Sequence, residues 1–521
     1  MTTETEPEAK ARNLRLIFAA LMVTMLLAAL DQTIVSTALP TITSDLGGLN
    51  ELSWVVTAYL LASTASTPIW GKLSDLYGRK PMLQTAVAIF VVTSALAGLS
   101  QNMSQLIATR ALQGIGGGGL MVLVMAVIAD LVSARERGRY SGLFGAVFGV
   151  ASVLGPLLGG LFTEHLSWRW VFYVNVPLGI AAFLILGAVL HLPKRTTKHA
   201  IDWLGAALMV GATVMLLLVA VWGGQKYAWG STTIIGLAVG GVLATVLFIL
   251  QELRHPEPLV PLSMFRLAVL RIASAMGFVI GFAMFGAIVY LSIFMQVVRG
   301  ASPTSAGLQL LPLMLGLLIT SIVSGRLITK TGRYKIYPMA GSATAALGMF
   351  MLSKCGMHTD LWFIWLSAFV LGAGLGGCMQ VLIIAVQNSV KPAQLGAATS
   401  TSTFFRSIGG SFGTAVFGAI WTARLADELV RNLPAGAADA LGGADVSSSM
   451  SEIASLPAPI HDAVVLSFAN AIDFTFAVAV PVMLVAFALS FFLKEVPLRT
   501  RPTLEDELEH DAALPLPERV D

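Results

Sequence analysis

Gly71-Lys72-Leu73-Ser74-Asp75-Leu76-Tyr77-Gly78-Arg79-Lys80 closes one long apolar run, and Gly325-Arg326-Leu327-Ile328-Thr329-Lys330-Thr331-Gly332-Arg333-Tyr334 closes another in the second half of the chain. In both strings a glycine is followed seven positions later by Gly-Arg. Glycine lets a chain turn tightly and lets neighbouring helices approach. Each string follows the second helix of a six-helix block once two intervening helices are set aside. That spacing predicts a parallel repeat of six plus six helices, with a substrate site between the repeats near the midplane.

The surrounding sequence supports a membrane frame. Of 521 residues, 56% are hydrophobic and 12% charged, against roughly 25% charged in soluble domains. A spanning helix needs about 20 mostly apolar residues. Fourteen such runs occur, at 14–39, 52–71, 82–100, 104–130, 140–163, 170–191, 203–222, 231–250, 272–298, 304–328, 336–355, 362–386, 396–422 and 470–493. The fold class is therefore an all-α polytopic membrane protein. Its expected parts are a polar N-terminal tail (1–13), a six-helix bundle (14–191), two inserted helices (203–250) and a second six-helix bundle (272–493). The second bundle carries an outside loop (423–469), and a charged, disordered tail (494–521) follows it.

Lys and Arg are retained on the cytoplasmic side. With the N-terminus inside, 24 of the 32 basic residues fall in inside segments, so both termini are expected in the cytoplasm. Abundant Ala and Gly hint at a GC-rich bacterial genome, hence a bacterial inner membrane. The net charge of +3 argues for no nucleic-acid partner. The seven His are scattered, and no metal spacing, nucleophile elbow or phosphate loop occurs. An enzyme, a cofactor and a bound metal are not expected. Cys355 and Cys378 read as packing residues. A monomer is expected.

Charges within the apolar runs are few. A carboxylate or guanidinium at membrane depth is costly, so one that persists is paired, protonated or wet, and functional by default. Asp31 lies in Leu30-Asp31-Gln32-Thr33-Ile34 of the first run, and Arg110 opens Arg110-Ala111-Leu112-Gln113-Gly114 in the fourth. At about 1.5 Å per residue they sit at similar depths and are expected to pair. Arg406 is a second buried cation, read as a structural or gating group or as another partner for Asp31. Asp473 reads as a helix-terminal group, and Asp130 lies near the cytoplasmic end of the fourth run.

The string Gly71 to Lys80 resembles the cytoplasmic signature of the major facilitator superfamily, Gly-x-Leu-x-Asp-x-x-Gly-Arg-Lys. The resemblance implies a latch made by Gly71, Asp75, Gly78, Arg79 and Lys80, broken and remade during alternating access. Thr329 stands where the second copy lacks the acid. Asp75 is also placed to cap a neighbouring helix N-terminus. The Arg110-x-x-Gln113-Gly114 pattern is similar to the signature in which the superfamily's drug/proton antiporters carry a proton-transfer Arg. Gly145, Gly149, Gly155, Pro156, Gly159 and Gly160 resemble the motif that marks antiporters. The strings Leu30 to Pro40, Trp168 to Gly179 and Phe404 to Gly413 resemble the fourteen-helix drug:proton antiporter branch.

The resemblance implies proton-driven export of lipophilic drugs or other amphiphiles, or of an endogenous lipid, siderophore or secondary metabolite. Asp31 and Arg110 are the expected proton-coupling pair. An apolar, aromatic cavity with few polar groups is expected to involve Asp31, Gln32, Tyr59, Gln113, Phe282, Phe285, Tyr290 and Gln296. The scarcity of buried acids favours monovalent lipophilic cations or neutral amphiphiles.

Overall fold

A computed structural model describes residues 6–46, 52–190, 201–224, 226–433 and 457–499. In chain order the helices are α1 (Glu6–Leu46), α2 (Leu52–Tyr77), α3 (Arg79–Gly98), α4 (Met103–Leu131), α5 (Ala134–His165), α6 (Trp170–Tyr173), α7 (Asn175–Val189), α8 (Trp203–Trp222) and α9 (Thr232–Arg254). They continue as α10 (Ala268–Ile293), α11 (Pro303–Gln309), α12 (Leu311–Thr331), α13 (Ile336–Leu352), α14 (Leu361–Ser389), α15 (Leu395–Asn432) and α16 (Ala458–Phe491). All fourteen apolar runs fall on these helices. Among the described residues, eleven stretches are long and apolar enough to cross a membrane, and α13 is apolar but shorter. The two not counted are α2 and α15, diluted by Ser63-Thr64-Ala65-Ser66-Thr67 and Thr399-Ser400-Thr401-Ser402-Thr403.

Two large apolar cores form. One gathers α1, α3, α4 and α7 around Leu21, Phe90 and Leu123. The other gathers α10, α13, α14 and α16 around Met276, Met349, Leu375 and Phe476. Lipid tails are as apolar as leucine, so helix association in a bilayer depends on close approach through small residues. A Cβ at Gly114 or Gly118 of α4 would strike the carbonyls of Tyr59 or Ser63 on α2, and one at Gly409 or Gly413 of α15 would strike those of Phe278 or Phe282 on α10. Both crossings are therefore set by backbone against backbone, which cannot yield. Gly409→Val is expected to abolish the monodisperse species in detergent-solubilised size-exclusion chromatography; a wild-type elution profile would refute this account of the crossing.

Several helix ends differ from the runs. α15 continues to Asn432 and α16 begins at Ala458, so the predicted outside loop shrinks from both sides. The extra turns are polar yet ordered around Glu428, which is 5% exposed. Glu428 pairs with Arg424 at 2.7 Å and accepts from Asn470 at 3.0 Å. The tenth run breaks at Leu310 into α11 and α12, and α10 ends in a π-helical turn, Phe294–Val298. The helix starting at Glu6 absorbs much of the predicted N-terminal tail. Residues 1–5, 434–456 and 500–521 of the predicted tails and loop, and the basic 191–200 connection, lie outside the described residues.

Candidate functional site

Asp31 and Arg110 meet between the first core and a smaller apolar cluster around Ile34, Val55 and Phe172, 0% and 1% exposed. Arg110 Nη1 lies 2.6 Å from Asp31 Oδ2. The other carboxylate oxygen, Oδ1, accepts from Gln113 Nε2 at 3.0 Å and from Asn175 Nδ2 at 3.0 Å. Arg110 also donates to Gln113 Oε1 at 2.7 Å and to the Val55 carbonyl at 3.2 Å, and its guanidinium lies 4.3 Å from the Tyr59 ring centroid. One carboxylate on α1 is thus held by α4 and α7, while α2 braces the cation. Asn175 is anchored in turn by Ser94 Oγ of α3 at 3.1 Å. The sequence reading names Asp31, Arg110 and their pairing, but assigns Asn175 no role. Its only signal is its place in the Trp168–Gly179 string.

Outside the bilayer end of α1, Asp45 accepts from Trp168 Nε1 at 2.7 Å and pairs with Arg169 at 3.1 Å. The Trp168 hydrogen bond, then that from Arg169, hold the Asp45 carboxyl below the usual carboxylate range. This ties the Trp168 string to the end of α1.

At the end of the molecule carrying Gly71 to Lys80, Asp75 does cap a helix N-terminus, and the helix belongs to the other core. Gly396 N and Ala397 N of α15 donate to its two oxygens at 3.0 and 2.8 Å. Arg79 pairs with Asp75 at 2.5 Å and with Asp130 at 2.9 Å. Asp130, near the end of α4, is thus joined through Arg79 to Asp75. Lys80 departs from the expected cluster: it donates to the Gly187 carbonyl near the end of α7 at 2.7 Å. Gly78 has φ +93, a left-handed conformation that glycine takes without strain, and Gly71 leaves no room for a Cβ against Ser400.

The second copy works with reversed polarity. Arg135, at the start of α5, donates to the Thr329 and Lys330 carbonyls of α12 at 2.8 and 3.0 Å. A cation at a helix C-terminus thus replaces the acid at a helix N-terminus, each favourable with the helix dipole. Arg137 donates to Gln387 Oε1 at 3.2 Å and to the Ala129 carbonyl. Burial pulls the Arg137 guanidinium down to about 10. Residues 494–499, expected to be disordered, form a strap along this end. Glu495 accepts from Tyr334 N at 2.9 Å, Arg499 N donates to Asn388 at 3.0 Å, and Arg135 N reaches the Arg499 carbonyl at 3.2 Å. Among the described residues, the hydrogen bonds joining the two cores gather here, so this end is closed.

The predicted cavity residues divide. Gln113 and Tyr59 are buried around Arg110. Gln32 is exposed, one turn from exposed Ser36 on α1. Phe282 stacks edge-on against Phe417 at 5.1 Å, and Phe285 is 38% exposed. Tyr290 is buried beside Trp421 at 5.9 Å, inside the second core. Gln296 turns back to Ser292 Oγ at 3.1 Å. Of the α5 motif, Gly155 and Gly159 press on Thr33, Ile34 and Thr37 of α1, and Gly145 on Leu318 of α12, whereas Gly149 and Gly160 face open space. Pro156 lies against Gly307 of α11. Arg406 lines a small void with Gly277, Ile280, Met379, Leu382, Ile383 and Ser402. Cys355 and Cys378 are free and buried.

The chain is similar to known transporters along nearly its whole length. The profile of the Major Facilitator Superfamily matches residues 21–414. An uncharacterised MFS-type transporter of Mycobacterium tuberculosis is 43% identical over 93% of this chain and 70% of its own. The multidrug transporter protein MdtP of Bacillus subtilis is 40% identical over 81% of this chain and 79% of its own. Among solved structures, the proton:xylose symporter XylE bound to 6-bromo-6-deoxy-D-glucose superposes with a TM-score of 0.61 at 18% identity, covering 95% of this chain and 99% of that one. The helical architecture, the latch end and these matches agree: the chain belongs to the Major Facilitator Superfamily and is a multi-pass membrane transporter of small molecules, not an enzyme.

Proposed function

We propose that the protein is a proton-driven antiporter that exports lipophilic drugs or related amphiphiles by alternating access. It would sit in a bacterial inner membrane as a fourteen-span monomer, with both termini cytoplasmic. In this reading, 14–191 and 272–493 are the two bundles that rock against each other. The 203–250 pair stands outside them, with α8 against α2 and α15. Relatives named as a multidrug transporter and a multidrug resistance protein support the drug class. The closed latch end is then the cytoplasmic end, and the state described is one closed to the cytoplasm.

The observation that carries the coupling is the Asp31 carboxylate, 0% exposed and bound through side chains of two other helices. Only a group whose proton affinity differs between states can couple a gradient to transport. A carboxylate whose guanidinium and amide partners stand on separate helices changes its surroundings whenever those helices move. The test is dye uptake into everted vesicles from an efflux-deficient host. Ethidium accumulation is expected on energisation and should collapse with a protonophore; uptake indifferent to the proton gradient would refute the antiport reading.

A further inference from the structure

We propose that Arg406 is an anion receptor on the second core, so that the transporter accepts amphiphiles carrying one negative group. This deepens the export reading by naming a charge class for its substrates, opposite to the one that the scarcity of buried acids suggests. The two membrane-depth guanidiniums differ in kind. Arg110 is neutralised by Asp31 and satisfied by Gln113 and Val55. Arg406 sits well inside α15 and, among the described residues, has neither an ion pair nor a hydrogen bond.

Its neighbourhood explains why nothing in the protein answers it. The void it borders is lined by Gly277, Ile280, Met379, Leu382, Ile383 and Ser402, which offer one hydroxyl and no carboxylate. Beside Ser402, Thr403 Oγ1 is a second buried hydroxyl without a hydrogen-bond partner. The α10–α15 crossing fixes the base of the side chain: a Cβ at Gly281 would strike the Arg406 carbonyl, and one at Gly277 would lie 3.8 Å from Arg406 Cβ. The cation therefore cannot retreat by a shift of its own helix.

Arg406 is half-buried at the edge of this void and keeps its charge there. A charge at membrane depth that no protein group answers costs several kcal/mol unless water or a ligand meets it. A planar guanidinium with apolar walls recognises a carboxylate, sulfonate or phosphate, where charge-assisted hydrogen bonds are strong. The apolar lining would meet the part of the same molecule next to its anion. The anion comes either from a soluble amphiphile or from a lipid headgroup reaching in from the bilayer.

The experiment compares 1-pyrenesulfonate with 1-pyrenemethanol, which share an apolar body and differ by a permanent charge. Binding is followed by fluorescence on the purified full chain in phosphatidylcholine nanodiscs. The sulfonate is expected to bind about tenfold tighter or better, the scale of one charge-assisted contact. Arg406→Gln should erase that preference by weakening the sulfonate alone, and Arg406→Lys should retain it. Equal affinities in the wild type, or a preference that survives Arg406→Gln, would overturn the proposal. If Arg406→Gln does not yield monodisperse protein, the wild-type contrast and the Lys variant decide. Added phosphatidylglycerol that displaces the sulfonate assigns the site to a lipid headgroup, and no displacement assigns it to soluble amphiphiles. The contrast is read without transport, so failure of the Asp31 assignment leaves it untouched.

Discussion

Asp31→Asn is expected to bring proton-driven efflux down to the level of vesicles lacking the protein, while the variant inserts and purifies like the wild type. The two halves of that expectation rest on different contacts. Asparagine keeps the shape of the side chain and one acceptor oxygen for Arg110. Its amide group replaces the oxygen that accepts from Gln113 and Asn175, and Asn175 Oδ1, which has no partner among the described residues, can turn to accept from it. Arg110 keeps Gln113 Oε1, the Val55 carbonyl and the Tyr59 ring. The cation is therefore not stranded, which limits the penalty that removing one partner of a buried pair otherwise brings, about 3–5 kcal/mol. What disappears is the carboxylate of this network, and with it, in the proposed antiport cycle, the group that would take a proton on one side and release it on the other. Efflux in vesicles, with wild type and variant matched for protein content, checks the first half; thermal stability in detergent checks the second. Unimpaired pH-dependent transport by Asp31→Asn would sink the assignment.

The second large effect is expected at the latch. Asp75→Asn removes a carboxylate whose two oxygens each accept a backbone N–H of α15 and which faces Arg79 at 2.5 Å. An asparagine offers one acceptor, and its amide group would meet an N–H donor head on. Losing a buried hydrogen bond to a charged group is worth about 1.5–3 kcal/mol. Spent on a two-state equilibrium, that shifts the populations by about tenfold to a hundredfold. The variant should favour the state open at the latch end and transport slowly. Spin labels at Lys72 and Lys391, on the two sides of the latch, are expected to show a new, longer separation. A distance distribution indistinguishable from wild type would remove Asp75 from the gating mechanism.

Much of the fold was legible because membrane burial writes itself into composition over some 20 residues at a time. Every apolar run falls on helix, two of them, 170–191 and 304–328, divided between a short helix and a longer one. Helix ends were not legible where polar residues satisfy one another, as around Glu428, since pairing between α15 and α16 has no local signature. The Asp31–Arg110 pair could be read from depth alone. Asn175 could not, because an uncharged amide near a helix start reads as a turn or cap until α7 is laid against α1. The latch string announced Asp75 and Arg79, yet the partners of both come from elsewhere in the chain: Asp130 on α4 and two backbone amides of α15. Lys80 illustrates the reverse, a residue inside the string whose side chain serves a different helix. The strap at 494–499 was hidden because its bonds are mostly backbone, and backbone groups leave no mark on residue type.

The polar character of α2 and α15 also bears on how the chain is made. A helix whose apolar span is interrupted by hydroxyls partitions less readily on its own and gains from a neighbour that accepts it. Within each helix some hydroxyls turn back onto their own carbonyls, Thr67 to Ser63 at 2.8 Å and Thr401 to Ala397 at 2.6 Å, which lessens the burden without removing it. The glycine-notched partner of α15 is α10, already synthesised when α15 leaves the ribosome. The partner of α2 is α4, which emerges only after α2 and α3 have passed. The second helix of the early half therefore gains its close-packed partner only when the fourth emerges, whereas the late half docks α15 onto a seat already built.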